Sequence, residues 1–116
     1  MSTHHTLKEL APATRELRRE IPGTWRGFVE MHDAAMADGA LSRTTKELIA
    51  LAISVVEGCD GCVVAHARGA AAHGAAPEEV AEALGVALLM RGGPATTWGP
   101  RAWDAYREFA EEVVQS

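Results

Sequence analysis

The stretch Glu57-Gly58-Cys59-Asp60-Gly61-Cys62-Val63-Val64-Ala65-His66 holds both cysteines of the chain and a histidine four residues after the second. Gly58 before it and the apolar, alanine-rich run after it point to a helix that begins at Cys59. At 3.6 residues per turn, positions i, i+3 and i+7 fall on one face, so the two thiols and the imidazole of His66 converge. Such a cluster serves one of two chemistries, dithiol redox work or metal ligation, and the residues favour redox.

Outward from this stretch the chain reads as helices. Ser42 or Thr44 can cap a third helix running to about Glu57, in which Leu48, Ile49, Leu51, Ala52, Ile53, Val55 and Val56 point in nearly every direction. The helix from about Cys59 to His73 repeats this with Val63, Val64, Ala65, Ala67, Ala70, Ala71 and Ala72, and Gly74 supplies its stop. A helix apolar all round is expected to be buried all round. Upstream, a first helix opens at or just after Thr6 with Leu7, Leu10 and Leu17, interrupted early by Pro12. Pro22 opens a second, whose Trp25, Phe28, His32, Ala35 and Met36 form a core face before Asp38-Gly39 ends it. Downstream, Pro77-Glu78-Glu79 starts a fifth helix with Val80, Leu84, Ala87, Leu88 and Arg91 on one face. After Gly92-Gly93-Pro94, Trp98, Ala102, Tyr106, Phe109 and Val113 stripe a last one, with Trp103 off the stripe. The expectation is a single all-α domain over residues 1–116, a bundle of about six helices with the CxxC at the start of the fourth. Two central helices apolar in every direction need more cover than four flanking helices give, which predicts self-association through the third to sixth helices, with Trp103 in the interface.

Composition narrows the function classes. The 116 residues carry a net charge of -5, and the eleven cations, nine of them arginine, are scattered, so nucleic acid is not an expected partner. The longest apolar run, Leu48 to Val56 around Ser54, falls well short of the ~20 residues of a membrane span. Residues 1–6 lack the basic and apolar regions of a signal peptide. The expected compartment is the cytoplasm, where two cysteines three apart are a redox or metal pair rather than a staple. No haem, flavin or nucleotide motif is present, and no cofactor is expected.

A redox cysteine needs its thiol ionised and its proton handled. The helix start would stabilise charge on Cys59 or Cys62, and His66, one turn past Cys62, can accept its proton. Glu47, twelve residues before Cys59 on a mostly apolar helix, is a further candidate. Its competing explanation is a capping box, Thr44-Thr45-Lys46-Glu47, with Glu47 reaching back to the helix start. Glu57 reads as a solvent-side helix end, His32 as core, and His73 as a complement to its helix's C-terminal dipole. Cys59, Cys62, His66 and Glu47 also make four acceptable ligands for zinc, although structural zinc sites more often bring ligand pairs from separate loops.

Glu47, eleven residues, Cys59-Asp60-Gly61-Cys62, three residues and His66 together resemble the signature of the AhpD-like alkylhydroperoxidases, within the carboxymuconolactone decarboxylase family. The resemblance extends through Leu41 to Ala52 and His73 to Ala83-Leu84, covering about residues 40–95. It implies an all-helical fold, assembly into homo-trimers or homo-hexamers, and a peroxidase or disulfide-reductase chemistry. A hydroperoxide or disulfide would be the substrate and an external dithiol the electron donor. By the same resemblance Cys62 attacks the peroxide, Cys59 resolves the sulfenic acid into a Cys59–Cys62 disulfide, and Glu47 with His66, through a water, deprotonates Cys62. The helix dipole by itself favours Cys59 as the thiolate; a specific base outweighs a dipole contribution of ~0.3–1 kcal/mol. Some members with peroxidase roles carry a histidine where this chain has Gly61. The founding decarboxylases act on a lactone and lack the CxxC.

Overall fold

Local capping sets the two helices that frame the cysteines. In the computed structural model, which describes residues 3–115, Ser42 is extended and its Oγ accepts the Thr45 N–H at 3.1 Å, opening α3 (Arg43–Glu57). Gly58 closes α3 in the left-handed region, with φ at 71°. There the Ser54 carbonyl accepts two N–H groups, from Gly58 at 2.9 Å and Cys59 at 3.2 Å. A Cβ at Gly58 would also stand 3.1 Å from Trp98 Nε1, so both backbone and space require glycine. Cys59 then serves as N-cap of α4 (Asp60–Ala72), its Sγ accepting the Cys62 N–H at 3.3 Å.

The remaining elements are α1 (Thr3–Glu20), α2 (Pro22–Met36), α5 (Pro77–Arg91) and α6 (Ala95–Gln115), and the described residues contain no strand. The architecture is the expected all-α bundle of six helices with the CxxC opening the fourth. Helix α4 packs between α3 and α6 and touches α1, while α5 lies against α3 and α6. Leu51, Val55, Val63, Val64 and Val80 are fully buried. Ala67 and Ala70 of α4 join Ala102 and Ala105 of α6 in the same cluster, small side chains that let helices approach closely. No helix is long and apolar enough to cross a membrane among the described residues.

Several expectations on helix faces and ends are corrected. Pro12 lies inside α1 without ending it: its ring removes one N–H donor, and the helix continues on both sides. Leu10 and Leu17 are about half exposed, and only Leu7 of that set packs against the core. On α2 only Met36 is buried; Phe28 is 58% exposed, because α2 has few neighbours within one chain. Helix α3 is not buried all round within one chain, with Ile49 and Ile53 about half exposed, nor is α4, where Ala72 is exposed; on the α6 stripe Val113 is about half exposed. Helix α6 starts at Ala95 and carries Pro100 within it. Trp103 packs partly buried against the core, its ring centroid 5.9 Å from that of Tyr106. The signal-peptide expectation falls partly on residues 1–2, outside the described residues.

Tyr106 ties α6 to the turn after α4, donating its hydroxyl to the Ala75 carbonyl at 2.6 Å. Burial holds its pKa above the usual 10.0, with Glu78 and Glu79 pushing the same way and Arg107 opposing. The folded state therefore holds this proton more tightly than the unfolded chain. Tyr106 stabilises fully below pH ~10 and progressively less above it. Tyr106→Phe is expected to cost about 1–2 kcal/mol at neutral pH by stranding the Ala75 carbonyl. It is also expected to flatten the alkaline fall in stability, read from urea melts at pH 7 and 10.5.

Candidate active site around the cysteine pair

Cys59 and Cys62 form a disulfide with Cα atoms 5.3 Å apart. As residues, Cys62 is exposed and Cys59 half-buried. The Cys62 N–H directed at Cys59 Sγ would stabilise negative charge on that sulfur once the bond opens.

Glu47 lies 2% exposed in the α3 face that meets α4. Its Oε1 accepts from Arg43 Nε at 3.0 Å and its Oε2 pairs with His66 Nδ1 at 3.0 Å. The capping-box alternative is thus overturned: Ser42 makes the cap, and the Glu47 side chain turns inward across α4. A carboxylate can only accept, so His66 donates from Nδ1 and leaves Nε2 as its second working nitrogen. His66 is partly exposed and stands one turn past Cys62.

Two residues of this arrangement escape a reading of the sequence for reactive side chains. Arg43 is signalled only by its i, i+4 spacing from Glu47. Gly69 interrupts an alanine-rich helix, and a Cβ placed there would run into the Glu47 carboxyl. Glycine at 69 is what opens room for the buried acid. Of the other residues considered, Glu57 is exposed at the end of α3, and His73 directs Nδ1 at the Gly69 carbonyl at 2.9 Å near the C-terminus of α4. His32 is partly exposed rather than core, 3.3 Å from the Asp33 carboxylate. No group of three or more His, Cys, Asp or Glu among the described residues is placed to hold a metal ion.

With this geometry in view, the sequence profile of the carboxymuconolactone decarboxylase family matches residues 22–108. The chain belongs to the carboxymuconolactone decarboxylase family. A crystallised apo family member from Legionella pneumophila is 37% identical and superposes with a TM-score of 0.89, over 93% of this chain and 96% of its own. A Thermotoga maritima member with a suggested part in an antioxidative response is 30% identical, with a TM-score of 0.78 over 92% of this chain and 94% of its own. An uncharacterized protein of Cupriavidus necator is 40% identical across 81 residues, 70% of this chain and 72% of its own length. The carboxymuconolactone decarboxylase match spans the cysteine pair, Glu47 and His66 and extends from α2 into α6.

Gly69→Ala tests the packing of the buried acid. Displacing the Glu47 carboxyl from a partner is expected to cost about 1–3 kcal/mol, against up to about 1 kcal/mol gained from replacing a helical glycine. Urea denaturation should show a net loss; a variant as stable as the wild type would mean that the carboxyl re-seats freely.

Proposed function

We propose that this chain is a thiol-dependent peroxidase and disulfide oxidoreductase that works through Cys59 and Cys62 without a cofactor. The observation that carries the proposal is the buried Glu47 bonded to His66, one turn past an exposed cysteine of a CxxC pair. The Thermotoga relative's suggested antioxidative part supports it.

In the reduced enzyme His66 takes the Cys62 proton, directly or through a water, and Glu47 stabilises the imidazolium that results. The Cys62 thiolate attacks the O–O bond of a hydroperoxide, giving a Cys62 sulfenic acid and releasing the alcohol after protonation. Cys59 displaces the sulfenic hydroxyl as water and closes the disulfide. An external dithiol then attacks the Cys62 sulfur, and Cys59 leaves as a thiolate stabilised at the N-cap. The donor's second thiol completes the transfer, so two electrons and two protons return to the pair and the donor ends as a disulfide. Such cycling belongs in the cytoplasm, where dithiol donors are kept reduced.

One equivalent of peroxide is expected to consume both thiols of the reduced chain, with zinc analysis alongside finding no metal that blocks them. Cys62→Ser should lower turnover at least about 100-fold, the scale of losing a covalent nucleophile. Cys59→Ser should complete one turnover and stop at the sulfenic acid. An active Cys62→Ser variant sinks the assignment.

The exposed apolar residues of α2, α3 and α5, among them Phe28, Ile53, Val86, Leu89 and Met90, support assembly as a homo-trimer or homo-hexamer. Ile53, Val56, Val86 and Met90 line one groove between α3 and α5. Light scattering is expected to give three or six times the 12.3 kDa of one chain, and a mass near 12.3 kDa would refute the assembly.

A further inference from the structure

Asp60 occupies the first position of α4, next to Cys59 and two residues before Cys62. An acid in the first turn favours the helix. It also adjoins Cys59 in the chain, and a carboxylate near a thiol opposes its ionisation. Arg101 meets it from α6, 41 residues away in sequence: Nε donates to Oδ1 at 2.8 Å and Nη2 to Oδ2 at 3.4 Å. The two side chains are 19% and 34% exposed, so the pair is only partly screened by solvent. Three residues earlier on α6, Trp98 closes on Gly58 at the other side of the cysteine turn.

The other charges around the turn have their own placements. On α3, Glu47 is matched by Arg43 and His66, and Glu57 is exposed. From α5, Arg91 donates to the Val56 carbonyl at 3.2 Å. Asp60 is therefore the carboxylate nearest the sulfurs along the chain, and the guanidinium that answers it comes from the last helix.

We infer that Arg101 is a positioning residue for the Cys59–Cys62 pair: it fixes the Asp60 carboxylate and offsets its charge, and so sets how readily the reduced pair ionises and how readily the disulfide is reduced. The inference rests on the pair being redox-active. The relevant equilibrium with glutathione is disulfide plus two GSH giving the dithiol plus GSSG, in which the pair gains two electrons and two protons and glutathione is oxidised. The disulfide cannot ionise, whereas the reduced dithiol can lose a proton to become thiolate. Removing the Arg101 charge from Asp60 therefore disfavours the ionised form of the reduced pair and leaves the disulfide side unaffected.

The test uses the full chain and compares Arg101→Leu, Arg101→Lys, Asp60→Asn and the Arg101→Leu/Asp60→Asn double variant, following thiolate absorbance against pH and the glutathione equilibrium. Arg101→Leu is expected to move the thiol titration up by about 0.5–1 pH unit and Asp60→Asn to move it down, as a nearby like charge does when bared or removed. The double variant should return toward the wild type, and Arg101→Lys should stay close to it. Reduction of the Arg101→Leu disulfide should become about three- to tenfold less favourable, tenfold being about 30 mV for a two-electron couple. Both single substitutions break the same bridge, so a merely structural contact would shift them in the same direction or not at all. That outcome, in a wild type that does cycle, overturns this inference alone. A wild-type disulfide that dithiothreitol does not reduce overturns both the inference and the proposed function. Should Arg101→Leu fail to fold, a downward shift in Asp60→Asn with Arg101→Lys unchanged supports the inference, and no shift in Asp60→Asn refutes it.

Discussion

Glu47 carries a carboxyl into the packed face between α3 and α4, and burying such a group costs several kcal/mol unless every oxygen finds a partner. The surrounding chain meets that demand from three directions. Arg43 comes from one turn back on the same helix, His66 from across the helix pair, and Gly69 gives up its side chain so that the carboxyl fits. The requirement fixes how α3 and α4 are rotated against each other. With the rotation fixed, His66 and the cysteines stand where they do because all three belong to α4 or its cap.

The cysteine pair is asymmetric in a way that suits the two steps of the proposed cycle. Cys62 is the more exposed residue, one helical turn before the histidine, and Cys59 is the capping residue whose sulfur faces a peptide N–H. An attacking group needs access and a base, while a leaving group needs its charge stabilised. In the proposed cycle, the helix dipole argument for Cys59 and the base argument for Cys62 therefore concern different steps rather than rival nucleophiles. Gly61 lies between them with open space around it, since a Cβ there would touch nothing within 4 Å. A side chain at that position would enter open space.

What the sequence made legible follows from the range of each interaction. Caps and stops act over a few residues, so Ser42, Gly58, Gly74 and Pro77 marked helix ends within a residue or two. The i, i+3, i+7 spacing put Cys59, Cys62 and His66 on one side of α4 for the same reason. Glu47 was visible as a candidate, but a capping box and an inward turn use the same residue types. Only the packing of α4 decides between them. Arg101 and Gly69 had no local mark, because one acts across 41 residues and the other by absence of atoms. The stripe on α2 misled for another reason: periodicity reports that a helix has an apolar side and not whether one's own chain covers it.

The turn between α3 and α4 bears on the speed of the chemistry. The Ser54 carbonyl holds both Gly58 and Cys59, the left-handed glycine lies beside Trp98, and Arg101 grips Asp60 just beyond. None of these restraints uses the sulfur–sulfur bond. Opening that bond would therefore leave these backbone restraints in place, with nothing in the turn to drive the two sulfurs apart. For the proposed cycle this means a low reorganisation cost, since neither half-cycle would have to refold the loop that presents the sulfurs.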